Sequence, residues 1–160
     1  MNGRLYAAPY TDMNDPMEGH YFQRSGRLSS EFKSALKGEK RSYGIVSLSE
    51  IADNTLMWAH YANGHNGIAI GVEIDSDTYD IRKIEYDGLS QLTQSFSHKL
   101  EVWDYEKEYR VFVQHEKYVN VKIKEVIFER RVEHSEREFF EKLFTKLAGN
   151  NIEFSQEQRT

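Results

Sequence analysis

Asn54-Thr-Leu-Met-Trp-Ala-His60-Tyr-Ala-Asn-Gly-His65-Asn-Gly67 runs directly into Ile68-Ala-Ile-Gly-Val-Glu-Ile74, and the fold class follows from how this stretch is read. The first part predicts a helix over 54–62, capped by Asp53 and stopped by Gly64. The second part alternates with period two, which is a strand. Ile68, Ile70, Val72 and Ile74 make one large branched face, and Ala69, Gly71 and Glu73 make the other. So small a face lets a packed helix or a ligand come close to the backbone.

Working outward, strands are expected at 4–8, 43–49, 81–86, 108–114 and 121–128, the last with one phase change. Asp15 caps a single helical turn in which Pro16 costs no hydrogen bond and Glu18 closes a capping box. A helix is expected over 28–37, with a Ser29/Ser30 cap, Phe32 and Leu36 on one face, and Gly38 as stop. Residues 88–97 read as a polar loop. Ser135-Glu-Arg-Glu138 is a capping box opening a helix with the apolar stripe Phe139, Phe140, Leu143, Phe144 and Leu147, ended by Gly149. The tail over 150–160 either adds a short strand at 152–154 or frays. Strands mostly follow one another without helices of crossover length. The expected fold is therefore α+β, a single domain over 1–160 with a mixed, largely antiparallel sheet and a few packed helices.

Composition narrows the function classes. A chain of 160 residues can bury a real core without staples. It has no cysteine, which excludes disulfides and thiolate metal sites and suits a cytoplasmic setting. No apolar run reaches membrane-spanning length, and the N-terminus carries no signal-peptide pattern. The net charge of −5 speaks against a nucleic-acid backbone as the main partner. Lys37/Lys40/Arg41 and Lys122/Lys124/Arg130/Arg131 read as solvated edges of helices and strands.

Three constellations can carry chemistry. His60 and His65 are five apart with a helix stop between them, so they do not share a helical face as a metal pair would, and no metal is expected. They read either as structural groups around a core Trp58, or as ligand-contacting or proton-handling groups in a polar cleft. In Trp103-Asp-Tyr-Glu106-Lys-Glu108-Tyr-Arg110, a strand beginning near Glu106 puts Glu106, Glu108 and Arg110 in one column, with Tyr109, Val111 and Val113 opposite. Such a column is either a solvent-facing ion-pair ladder or an active-site wall under the aromatic cover of Trp103 and Tyr105. In Asn14-Asp-Pro-x-Glu18-Gly19, capping explains every polar residue except Asn14.

Taken in order, Asn14-Asp-Pro-x-Glu-Gly19, Leu56-Met-Trp-Ala-His-Tyr-Ala62, His65-x-Gly67 and Trp103-x-Tyr-Glu-x-Glu-Tyr-Arg110 resemble the bacterial family known as domain of unknown function 2971. The resemblance spans the chain from Leu5 to about Phe128. It brings no established activity. Members of that family usually carry a strand and a helix ahead of the first signature, so the resemblance implies that this chain lacks both, and with them one wall of the pocket.

Two functional readings follow. In the first, a polar pocket built by Asn14, Glu18, Trp58, His60, His65, Glu106 and Arg110 binds a small molecule or nucleotide in a stress or defence context. In the second, the domain is similar to ADP-ribosyltransferases and uses NAD. Arg4 then holds a phosphate, Ser47 supports the ribose side, and Glu106 and Glu108, with His60, supply the catalysis. A structural or interaction domain without a site is the third possibility. An open sheet edge left by a short first strand also favours a homo-oligomer.

Overall fold

The phase change expected within 121–128 organises the first of two sheets. The computed structural model describes residues 3–9, 12, 42–86, 99–149 and 151–157. In chain order their elements are β1 (Gly3–Tyr6), β2 (Ala8–Pro9), β3 (Tyr43–Ser49), α1 (Thr55–Tyr61), β4 (Ile68–Glu73), β5 (Asp80–Lys83), a 3-10 turn (Glu101–Glu106), β6 (Glu108–Gln114), β7 (Tyr118–Phe128), α2 (His134–Ala148) and β8 (Glu153–Gln156). The class is α+β, with strands mostly antiparallel and β8 parallel to β7. The chain divides into two compact units, one of 1–4, 51–75 and 120–160 and the other of 5–50 and 76–119. The strands correspondingly form two sheets rather than one. The turn expected at 14–19, the helix at 28–37 and the loop at 88–97 lie outside the described residues.

In the first unit, β7 is flanked by β1 and β4 and also pairs with β8. Gly71 of β4 faces Glu125, but the next residue, Val72, faces Ile123, so Lys124 is left over as a bulge. That extra residue is the physical source of the phase change, because a one-residue slip exchanges the faces of a strand. Val121 is buried on one side of it and Val126 and Phe128 on the other. β8 lies parallel to the end of β7, Glu125 opposite Glu153 through Phe128 opposite Gln156, with α2 as the crossover. Of the two outcomes expected for the tail, the strand is the one found.

Phe144 of α2 packs with Val126, Phe128 and Ile152, and Ile68, Phe140 and Phe154 close around them. Full burial of each such side chain is worth about 1.5–3 kcal/mol. The stripe read for this helix is only partly core, since Phe139 and Leu147 are exposed. Five apolar positions over two turns span an arc too wide for one sheet face to cover. The expected capping box is also displaced: Glu133 is the N-cap, it makes no side-chain cap bond, and Ser135 falls inside the first turn. Gly149 ends the helix as expected, at φ 90. In α1 the cap is Asn54 rather than Asp53. The Asn54 Oδ1 accepts from the backbone N–H of Leu56 at 2.8 Å and of Met57 at 3.3 Å.

In the second unit the order is β2-β3-β6-β5, antiparallel throughout. β6 is interior to this sheet, so Val111, Phe112 and Val113 are buried on both faces, with Ile45, Val46 and Ile84 beside them. β3 spans the residues expected of a buried strand. Gly44 is required there, because a Cβ would come within 2.9 Å of the Ala7 Cβ.

Candidate functional site

The start of β6 carries the candidate site. The 3-10 turn ends on Glu106, Lys107 takes a left-handed conformation at φ 44, and β6 begins with Glu108. The strand therefore starts two residues later than the column reading assumed. Glu106 and Glu108 are brought together by the turn, not by strand periodicity. Cross-strand register then adds β3: Ser49 faces Glu108 and Ser47 faces Arg110, which puts all four on one side of the sheet.

Arg110 is 0% exposed, Glu108 3% and Glu106 4%, so the solvent-facing ladder is excluded. Glu108 is held in the fork of Arg110, with Nε at 2.7 Å from Oε1 and Nη2 at 3.2 Å from Oε2. Lys99 donates to both carboxylates, to Glu106 Oε2 at 2.5 Å and Glu108 Oε2 at 3.1 Å. Two carboxylates thus face two cations and the formal charges sum to zero. The backbone N–H of Glu108 donates to the Tyr86 hydroxyl at 2.7 Å. The Ser49 hydroxyl donates to the Glu106 carbonyl at 2.7 Å, and Ser47 hydrogen-bonds the Glu108 carboxylate. The Lys99 ammonium lies 5.2 Å from the centre of the Trp103 ring, and Tyr105 is tilted against Trp103 at 6.0 Å.

Burial alone pushes the Glu108 carboxyl up. The hydrogen bond and charge of Arg110, joined by Lys99 and Ser47, outweigh it and hold the group below its ordinary value. For Lys99, burial pulls down, but the charges and hydrogen bonds of Glu108 and Glu106 more than offset it and the ammonium is held above its ordinary value. Burial raises the Tyr86 hydroxyl against the hydrogen bond from Glu108. Burial and the Glu106 charge also raise Tyr105. Chemically, the network can present fixed, opposite charges in a place from which water is largely excluded.

The structure thus brings together Ser47, Glu106, Glu108 and Arg110. Asn14 and Glu18 lie outside the described residues. Arg4, Trp58, His60 and His65 belong to the first unit. Arg4 is exposed on β1. Trp58 is a core residue, 3% exposed, and its Nε1 donates to the Ala52 carbonyl at 2.7 Å. His60 is exposed on the last turn of α1, its ring edge-on to Tyr61 at 6.4 Å. His65 follows in a left-handed run with Asn63 and Gly64, and its Nδ1 lies 3.6 Å from the buried Glu129 carboxylate. Among the described residues no group of three or more His, Asp or Glu is placed to hold a metal ion.

Sequence reasoning missed Lys99 and Tyr86. Lys99 stands 7 and 9 residues before the two glutamates it bridges. Tyr86 reaches Glu108 across 22 residues. Lys99 precedes the 3-10 turn that ends on Glu106, and Tyr86 lies in a separate segment, so no single helix or strand pattern relates them to the glutamates. Compared with protein-family models, curated proteins and solved structures, the chain shows no match to any of the three.

Proposed function

We propose that this chain is a binding domain for a small polar molecule or nucleotide, and that the Lys99–Glu106–Glu108–Arg110 network forms the wall of its site. The supporting observation is the burial of four formal charges at the head of an interior strand. Each buried ion costs several kcal/mol of desolvation, and apolar side chains of the same volume often hold a fold at least as well. Such clusters therefore gather at sites with a task. The half-buried rings of Trp103 and Tyr105 beside Lys99 add apolar surface for a ligand to cover. The same reading groups the chain with the bacterial family its motifs resemble, in a stress or defence role. It places the protein in the cytoplasm, which suits a chain without cysteine. No helix among the described residues is long and apolar enough to cross a membrane.

The test is a thermal-shift screen of nucleotides and small polar metabolites against the wild type and Glu106→Gln. A ligand at 100 times its Kd adds about 2.7 kcal/mol of apparent stability, which such a screen detects. A hit whose effect is lost in Glu106→Gln is the expected result. The reading is abandoned if no compound shifts the transition, or if the hits ignore the substitution.

One observation favours the ADP-ribosyltransferase reading as the second choice. Ser47 on β3 hydrogen-bonds Glu108 on the adjacent β6, so two of its three elements share one side of one sheet. In that reading Glu108 stabilises the oxocarbenium charge as nicotinamide leaves NAD, and Glu106 assists. Both Glu108 oxygens are already engaged by Arg110 and Lys99, so NAD has to displace Lys99 to reach them. Incubation with NAD decides it: nicotinamide release that falls in Glu108→Gln and Glu106→Gln supports the reading, and no release ends it.

A further inference from the structure

The turn between α1 and β4 holds two asparagine–glycine pairs, Asn63-Gly64 and Asn66-Gly67. In such a pair no side chain shields the glycine nitrogen, which lies within reach of the asparagine amide carbon. Neither glycine N–H donates to a backbone carbonyl among the described residues, so both nitrogens are open to reaction. The two pairs differ in how firmly the chain around them is held. Asn63 and Gly64 are exposed, both are left-handed at φ 49 and 63, and a Cβ on Gly64 would meet nothing within 4 Å. Asn66 and Gly67 are fixed from several sides. The Asn66 N–H donates to the Ala62 carbonyl at 2.9 Å, and the Gly67 carbonyl accepts from the Glu129 N–H at 3.2 Å. A Cβ on Gly67 would lie 2.9 Å from the Ala62 Cα, so that peptide has no room to rotate. The Asn66 Nδ2 donates to the Asn63 and Gly64 carbonyls, both at 3.4 Å, which turns its amide away from Gly67. Bonds of that length are weak and hold the Asn63-Gly64 peptide only loosely.

We propose that Asn63 is a site of spontaneous deamidation in the native protein, and that the fold protects Asn66 from the same reaction. The Gly64 nitrogen gives up its proton and attacks the Asn63 Cγ. A C–N bond forms, the Cγ–Nδ2 bond breaks, and ammonia leaves carrying the proton. Water then opens the resulting succinimide at either carbonyl, giving aspartate or isoaspartate. Either product puts a carboxylate just past the C-terminal end of α1, where the helix dipole disfavours it. Isoaspartate also passes the main chain through Cβ and so lengthens the turn that carries His65. The His65 N–H donates to the Trp58 carbonyl at 3.3 Å and its ring lies 3.6 Å from Glu129, so modification loosens both contacts.

Incubation of the folded chain in heavy-oxygen water, followed by peptide mapping with mass spectrometry, tests this. Conversion during digestion in ordinary water carries no label and is not counted. Asn63 should take up label at least about tenfold faster than Asn66, because local opening governs the reaction in the folded state. In urea the two rates should become similar. The rate at Asn63 should rise with pH, since the attacking nitrogen has to lose a proton. Asn63→Gln closes its larger ring far more slowly and should keep its melting curve through an incubation that lowers that of the wild type. Equal rates in the folded chain, or a faster Asn66, overturn the inference. So does an Asn63 that stays intact for as long as the chain in urea needs to convert fully. A wild-type melting curve that holds after Asn63 has converted overturns the loosening assigned to His65.

Discussion

Arg110→Met probes the buried network most directly. The substitution keeps an unbranched stem of similar bulk but removes the fork that grips both oxygens of Glu108, at 2.7 and 3.2 Å. Glu108 is 3% exposed, so water cannot replace the guanidinium. Lys99 then has to serve two buried carboxylates alone, from 2.5 and 3.1 Å. Removing one partner of a buried ion pair costs about 3–5 kcal/mol, which for a chain of this size lowers Tm by about 6–20 °C.

The loss should depend on pH in a definite direction. In the wild type, Glu108 is held below its reference value of 4.5, so its stabilising contribution is present above that pH and is lost as pH falls through the lower folded-state value. Arg110 is the largest of the lowering influences, so its loss raises the group from its wild-type position. The variant then loses this contribution, so its deficit is greatest at neutral pH and narrows as pH falls below the reference value of 4.5. Urea unfolding followed by circular dichroism at a series of pH values measures this directly. Glu108→Gln in the same chain should recover part of the loss. A deficit under about 1 kcal/mol at pH 7, or one that does not narrow as pH falls below the reference value of 4.5, would show that the pair is not held as described.

Further consequences can be measured in the same way. Lys99 is held above its reference value of 10.5, so its contribution is complete below that pH and is lost as pH rises through the higher folded value; Lys99→Met should remove this part of the alkaline transition in a Tm-against-pH series. Tyr86→Phe deletes the acceptor of the buried Glu108 N–H and should cost about 1–3 kcal/mol in urea titrations, and a change within error would mean that water satisfies the donor. Asn54→Ala should cost about 1 kcal/mol by the same titration, whereas Asp53→Ala should cost almost nothing, because Asn54 is the residue that caps α1. Gly67→Ala should cost about 1–3 kcal/mol, since a Cβ would lie 2.9 Å from the Ala62 Cα; an unchanged melting curve would mean the loop yields freely.

Much of the secondary structure was legible because it depends on short-range patterns. β3 and β6 were read with the ends they have, and β4 within one residue. The phase change within 121–128 foretold the bulge at Lys124. Capping was less legible, and both helix caps were misplaced. Asn54 and Asp53 are adjacent and both are competent caps, so composition could not rank them. At α2, Ser135 and Glu138 have the spacing of a capping box, yet the helix begins one residue before that serine. The candidate site was half legible. Its acidic pair and arginine stood out as a local run and Ser47 was named, while the lysine and tyrosine that neutralise and hold them came from other segments.

Local sequence determined that the strands mostly follow one another without helices of crossover length, with an amphipathic helix ahead of the last of them, and hence the α+β class. The reason is that period, capping and turn preference act over a few residues. Only the tertiary structure decided that the strands divide into two sheets and that Glu106 and Glu108 turn inward. It also decided that Phe139 and Leu147 stay outside. Burial and charge pairing are set by which distant segments meet, and register between strands, which no single segment encodes, chooses those meetings.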